Sequence, residues 1–75
     1  MTEKTITVTS HEKPTEAEIS IVQLMSDGKR PSEIAAVRGA KTQTIRNQIF
    51  QAKKKFGEST NGGLVALFMR NNLIK

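Results

Sequence analysis

The apolar positions of this 75-residue chain recur at helical spacing and predict an all-α fold. Between positions 42 and 56, the residues Ile45, Ile49, Ala52 and Phe56 are four, three and four residues apart, so they form one narrow stripe on a helix. Apolar clusters in three other segments predict helices at about 15–27 and 31–38 and a fourth within 59–75. The candidate core contacts of the second helix are Ile34, Ala35 and Val37.

Residues that begin and end helices stand at the boundaries of these segments. Thr15 and Glu18 have the spacing of a capping box. We expect Thr42 to cap the third helix and Ser59 or Asn61 to cap the fourth. The expected stop residues are Gly28, Gly39, Gly57 and, in a left-handed conformation, Asn72.

The fourth helix has more apolar residues than one face can hold. Leu64, Leu67 and Phe68 suit a face toward the core. Val65 and Met69, four residues apart, form a second stripe, which either a second copy of the chain covers in a homodimer or the monomer buries on its own. Beyond the helix, two further apolar residues can fold back on the core: Leu73 and Ile74.

The first residues of the chain are polar. Residues 1–13 contain one short alternation, TITVT, and a lone strand is unstable, so we expect a flexible N-terminal arm, with edge-strand pairing as the alternative. Residues 14–75 are then the single domain. No apolar run approaches the roughly 20 residues of a membrane span, and the N-terminus lacks the apolar stretch of a signal peptide, so we expect a cytoplasmic protein.

The composition excludes several kinds of site. The chain has no Cys, which rules out disulfides and thiolate metal ligands, and its single His, His11, has no partner ligands. The sequence contains no nucleophile–base pair and no Gly-rich phosphate loop after a strand. We therefore expect no enzyme activity, no metal and no cofactor.

Because so small a domain is marginally stable alone, oligomerisation is the remaining common means of stabilisation.

The net charge of +5 is concentrated in the middle of the chain. Residues 29–55 contain eight Lys and Arg against one Glu, a net charge of +7, whereas residues 1–28 carry −3 and residues 56–75 carry +1. A basic block within an ordered region indicates a polyanionic partner. The alternative is a solvated Lys face that keeps a small protein soluble.

Only three residues, Gly39, Ala40 and Lys41, separate the second and third predicted helices. A short helix, a tight turn with Gly and a longer helix form a helix-turn-helix, and in DNA-binding versions the second helix lies in the major groove. The third helix carries basic and amide residues outside its apolar stripe, and none is acidic. We therefore favour nucleic-acid binding. The alternative is an ordinary helical bundle whose polar face is only solvated.

Individual side chains of the third helix suit different parts of DNA. Arg46 is the first candidate for a base or phosphate contact and Asn47 for a base contact, since Arg can bind guanine and Asn adenine. Phe50 lies off the apolar stripe and either meets a thymine methyl group or packs against the core. Of the three successive lysines at 53–55, we expect one or two to contact phosphates, the alternative being a solvated face.

The segment TEAEISIVQLMSDGKRPSEIAAVRGAKTQTIRNQIFQAKKKFG and the C-terminal Leu-Ile hold, in register, the motif residues of a known family. These residues are Thr15, Glu18, Gly28, Glu33, Ile34, Ala35, Thr44, Ile45, Arg46, Lys55, Phe56, Gly57, Leu73 and Ile74. From about residue 15 to residue 74 the chain resembles the LuxR/GerE-type helix-turn-helix domain.

This resemblance implies a four-helix domain that binds double-stranded DNA as a dimer, commonly through the fourth helix, and regulates transcription. It implies base contacts from Arg46, Asn47 and Phe50. It implies phosphate contacts from Arg30, Ser32, Thr44, Lys53 and Lys54. The family position of Lys55 implies that this residue lies along the core instead. Most members of the family carry a further N-terminal domain, which residues 1–13 are too short to form, so the chain resembles the rarer free-standing members.

A function of another class stays open. The chain is alternatively a protein-interaction module that pairs through its fourth helix with a full-length relative and titrates it, or that contacts RNA polymerase or RNA. Salt-dependent binding to a specific duplex, lost on Arg46→Ala, distinguishes the DNA-binding function. Tight binding to a partner protein that Arg46→Ala leaves unchanged favours the interaction module.

Overall fold

The computed structural model describes residues 13–75, which form four α-helices and contain no strand. They are α1 (Glu16–Ser26), α2 (Pro31–Arg38), α3 (Thr42–Phe56) and α4 (Asn61–Arg70). The predicted all-α fold with four helices is therefore confirmed. The predicted arm at residues 1–13, its edge-strand alternative and His11 lie outside the described residues, apart from Lys13.

The predicted capping box begins α1. The Thr15 hydroxyl accepts a hydrogen bond from the Glu18 backbone N–H at 3.1 Å, and the Glu18 carboxylate accepts one from the Thr15 N–H at 2.8 Å. Two of the N–H groups that a helix start leaves unpaired are thereby satisfied. The capping box fixes the start of α1 at Glu16, as the sequence predicts to within one residue.

The predicted cap of α3 is wrong. The N-cap is Lys41 rather than Thr42, because the Lys41 carbonyl already accepts the first helical hydrogen bond, from the Ile45 N–H at 3.1 Å. Thr42 is thus the first residue inside the helix. The Lys41 side chain has no acceptor atom, so no side chain caps the start of α3.

The predicted caps of α4 are also wrong. The cap is Thr60, which lies between Ser59 and Asn61, and its hydroxyl accepts a hydrogen bond from the Gly63 N–H at 2.9 Å. Gly63 also has a steric role, since a Cβ at this position would lie 2.5 Å from Glu58 Oε1. The missing side chain therefore lets the Glu58 carboxylate lie against the first turn of α4.

The turn between α2 and α3 depends on a left-handed residue. Gly39 has φ 65° and ψ 36°, a conformation that costs Gly little. The turn then closes through the Ala40 N–H, which donates to the Ala35 carbonyl at 2.9 Å. The left-handed Asn72, with φ 58°, follows the end of α4 as predicted.

Two adjoining clusters of buried residues form the core, and α3 belongs to both. The first joins α1, α2 and the N-terminal half of α3 through Ile21, Ile34, Ala35, Ile45 and Ile49. The second joins α1, α4 and the C-terminal half of α3 through Val22, Ala52, Phe56, Leu64, Leu67, Phe68 and Ile74. The predicted core stripes of α3 and α4 are confirmed. Packing of both halves of α3 against the core fixes this helix in the domain. The face of α3 opposite its buried stripe is exposed to solvent.

Val37 does not join the core, contrary to the prediction. Its exposed fraction is 65%, whereas Ile34 and Ala35 are buried. At about 100° per residue, Val37 lies about 110° around α2 from the centre of the face that these two residues define. Only one side of this short helix therefore packs against the core.

Candidate nucleic-acid interface

A second stripe of side chains on α3 faces away from the core. Gln43, Asn47, Phe50 and Lys54 repeat the four-three-four spacing of the buried stripe, displaced by two residues. Because each residue turns a helix by about 100°, the two stripes lie on nearly opposite faces. All four side chains are exposed. We call these four residues the outer stripe.

The outer stripe contains two pairs of side chains one helical turn apart. Gln43 Nε2 donates a hydrogen bond to Asn47 Oδ1 at 3.0 Å. Lys54 Nζ lies 5.4 Å from the centre of the Phe50 ring, within the range of a cation–π contact. Phe50 is 54% exposed and belongs to neither core cluster, so the alternative that it packs against the core is wrong.

Two predicted DNA contacts lie beside the outer stripe, toward α2 and α4. Arg46 is exposed and Lys53 is half-buried. They line an open cleft of about 260 Å³ together with Pro31, Ile49, Phe50 and Asn61. No acidic residue lines this cleft, and α3 itself carries none. This side of α3 therefore presents positive charge next to apolar surface.

Most of the basic block is exposed, on α2, on α3 and in the segments that precede these two helices. Its exposed members are Lys29, Arg30, Arg38, Lys41, Arg46 and Lys54. Two other predicted phosphate contacts, Ser32 and Thr44, are exposed near the starts of α2 and α3. Of the sequence-predicted site residues, Arg46, Phe50 and Lys53 line the open cleft toward α2 and α4. Thr44 and Asn47 line a second cleft, between α3 and α1, together with Gln48. Val65 and Met69 lie on α4.

Lys55 does not belong to this exposed surface. Its Nζ lies 3.1 Å from Glu18 Oε1 and donates to the Lys13 carbonyl at 2.8 Å. The same Nζ lies 5.1 Å from the centre of the Phe56 ring. Of the two alternatives for Lys55, the position along the core is therefore the one that the structure has, and the Lys55 ammonium group binds other parts of the fold.

The starts of α2 and α3 are unlike those of α1 and α4. Thr hydroxyls cap α1 and α4, whereas the N-cap positions of α2 and α3 hold Arg30 and Lys41, whose side chains make no capping hydrogen bond. The N–H groups in the first turn of α3 thus donate to no N-cap side chain, and they lie at the positive end of the helix dipole. A cation at the cap adds to that field, which favours an anion such as a phosphate.

Glu33 is the one acidic residue of the basic block. Its Oε1 accepts a hydrogen bond from the Arg30 N–H at 2.7 Å and lies 4.0 Å from Arg30 Nε. This backbone hydrogen bond lowers the pKa of Glu33 below its usual 4.5; desolvation opposes the shift, and the charges of Arg30 and Lys29 favour it. Glu33 therefore remains ionised and occupied with the start of α2.

The second apolar stripe of α4 is only partly covered. Val65 is half-buried and packs against the second core cluster, whereas Met69 is 45% exposed. The monomer therefore does not bury both sides of α4 on its own. Coverage of this stripe by a second copy stays a prediction.

Sequence reasoning missed Gln43 as a candidate site residue. The available signal was its position four residues before Asn47, because side chains at this spacing meet on a helix surface.

Residues 13–75 contain no helix with the length and hydrophobicity to cross a membrane, and no group of three His, Cys, Asp or Glu that could hold a metal ion.

The chain matches no protein-family model, and no curated protein or solved structure matches it. The resemblance to LuxR/GerE-type domains and the site residues that it implies therefore stay predictions from the sequence.

Proposed function

We propose that this chain is a sequence-specific, double-stranded DNA-binding transcriptional regulator of the LuxR/GerE type. In this proposal α2, the three-residue turn and α3 form the helix-turn-helix, and α3 is the recognition helix. One observation carries the proposal. The outward face of α3 combines amides, an aromatic ring and cations, and the helix has no carboxylate.

The dimensions of α3 support this function. A helix of 15 residues is about 22 Å long and, with its side chains, about 10–12 Å wide, close to the width of the major groove, about 12 Å. With α3 in the groove, Arg46, Asn47 and Phe50 reach base edges. The surrounding residues contact phosphates: Arg30, Ser32, Thr44, Lys53 and Lys54.

The proposal includes a homodimer with its two-fold axis at α4. The exposed Met69 and the half-buried Val65 form a patch that a second copy can cover with the same residues. Two recognition helices then face one side of the DNA, about one helical turn apart, and bind a near-palindromic operator. Such a regulator acts in the cytoplasm.

Selection of bound duplexes from a random pool by the full chain tests the proposal. The expected result is enrichment of an inverted repeat, with binding that weakens as salt rises. A pool that shows no enrichment after repeated rounds contradicts sequence-specific DNA binding.

The second candidate function is a protein-interaction module. The observation that favours it is the same partly covered stripe of Val65 and Met69, which suits a full-length relative or RNA polymerase as well as a second copy. Binding to such a partner that Met69→Glu abolishes and Arg46→Ala leaves unchanged, without duplex selection, supports this function instead.

A further inference from the structure

The N-terminal end of the outer stripe consists of two side chains that are already bound to each other. Gln43 Nε2 donates to Asn47 Oδ1 at 3.0 Å, one turn apart on α3, and both residues are exposed. In a helix-turn-helix it is the N-terminal part of the recognition helix that contacts base edges. The pair therefore lies where the proposed function places base reading.

This hydrogen bond changes what Asn47 presents to DNA. A lone Asn binds adenine with two groups, because its oxygen accepts from N6 and its amide nitrogen donates to N7. In the pair, Gln43 occupies one of the two lone pairs of Asn47 Oδ1 and fixes the rotation of the Asn47 amide. Asn47 therefore presents mainly its Nδ2 donor, and Gln43 presents its Oε1 acceptor. If both amides turn over, the pair still presents one donor group and one acceptor group.

We propose that Gln43 and Asn47 read DNA as one unit, and that Gln43 is a specificity-determining residue. This inference rests on the proposed function and adds to it a residue outside the predicted contacts. Positions four apart on a helix are about 6 Å apart along its axis, and base pairs are about 3.4 Å apart, so the unit spans two neighbouring base pairs. One amide donates to an acceptor such as a purine N7, and the other accepts from the amino group of adenine or cytosine.

The contact itself favours keeping the pair together in the groove. When water is excluded there, separating the two amides leaves a donor and an acceptor without partners, which is unfavourable. The preference expected of the wild-type chain is therefore a preference for a two-base-pair step. A sharp requirement for adenine at one position, the signature of a lone Asn, is not expected.

Relative affinities for a panel of duplexes, with every base pair substituted in turn within the selected operator, test the inference. The variants are Gln43→Ala, Asn47→Ala and the double variant. Gln48→Ala is the matched control, because this exposed amide lies about 100° around α3 from Asn47 and does not belong to the outer stripe, although both residues line the cleft between α1 and α3. Circular dichroism verifies that each variant keeps its helices.

The expected result is a change in preference, not a general loss of affinity. Gln43→Ala removes the hydrogen bond that holds the Asn47 amide, so Asn47 can bind adenine with both of its groups, and preference at the base pair that Asn47 reads shifts toward adenine by about five-fold or more. The double variant loses no more preference at these two base pairs than Asn47→Ala alone. Gln48→Ala leaves the preferences at both base pairs unchanged.

The inference is overturned if Gln43→Ala shows the wild-type preference at every position, or if the effects of the two single variants simply add. Failure of the proposed function has a different signature. In that case the wild-type chain itself fails to distinguish among duplexes, before any substitution at Gln43.

Discussion

The Glu18 carboxylate of α1 forms an ion pair with Lys55 of α3, and the same oxygen completes the capping box of α1. Oε1 of Glu18 lies 3.1 Å from Lys55 Nζ and 2.8 Å from the Thr15 N–H that donates to it. Both side chains of the ion pair are mostly shielded from water, with 22% of Lys55 and 18% of Glu18 exposed. One carboxylate thus connects the start of α1 to the last turn of the proposed recognition helix.

Lys55 and its neighbour Lys54 should therefore differ in their effect on stability. We expect Lys55→Ala to lower the free energy of unfolding by about 1–2 kcal/mol, because it leaves a largely shielded Glu18 without its cation. Lys54→Ala is the matched control and should change it by less than about 0.5 kcal/mol, since this side chain is exposed. Urea denaturation measures both. Equal losses would show that the ion pair does not stabilise the fold.

The salt dependence of duplex binding should reflect the exposed basic residues. About four to eight phosphate contacts per dimer give a slope near −0.9 per contact in a plot of log K against log salt. Lys54→Ala should make this slope less steep by about one contact per chain, whereas Lys55→Ala should not change it, because Lys55 pairs with Glu18. A slope near zero for the wild-type chain contradicts phosphate binding by this surface.

Glu33 should make the domain sensitive to acid. Its pKa is lowered in the folded chain, mainly by the hydrogen bond from the Arg30 N–H. Ionised Glu33 therefore stabilises the folded chain at pH values above 4.5, the usual pKa that applies to the unfolded chain. This stabilisation is lost as the pH falls from 4.5 through the lower pKa that Glu33 has in the folded chain. Glu33→Gln should flatten the fall in thermal stability below pH 4.5. The control is Glu16→Gln, in the first turn of α1. If both variants lose stability with acid as steeply as the wild type, the assignment to Glu33 is wrong.

Substitution of Met69 tests the predicted dimer. Met69→Glu places like charges across the proposed two-fold axis, so we expect a folded monomer that binds its operator much more weakly. Met69→Leu keeps an apolar side chain and should leave both the dimer and binding intact. Light scattering and duplex titration measure the two properties. A folded Met69→Glu chain that binds as tightly as the wild type would exclude α4 as the interface.

The sequence predicts the helices and core of this domain because both follow from local spacing. Ile45, Ile49, Ala52 and Phe56 are buried because a four-three-four pattern can face only one side of a helix. The capping box at Thr15 was predictable for a similar reason, since both of its hydrogen bonds join residues three apart.

Features that depend on backbone angles or distant partners were not predictable in this way. Ser59, Thr60 and Asn61 are all suitable caps, and only the extended conformation of Thr60, with φ −128° and ψ 157°, selects one of them. The partner of Lys55 lies 37 residues away along the chain, so no local pattern contains it. The exposed basic and amide face of α3 was predictable from local spacing. The DNA contacts proposed for this face do not follow from spacing, because they depend on the sequence and shape of the bound duplex.

The central claim is that α3 reads base sequence through Arg46. The most direct measurement is the affinity of Arg46→Ala for the selected operator and for a scrambled duplex at one salt concentration. We predict that Arg46→Ala weakens operator binding by about 1–3 kcal/mol and relaxes preference at one base pair per half-site. Lys54→Ala, as a phosphate-contact control, should weaken binding to both duplexes alike. If Arg46→Ala also weakens both duplexes equally, Arg46 contacts only phosphate, and the claim that this residue reads base sequence is contradicted.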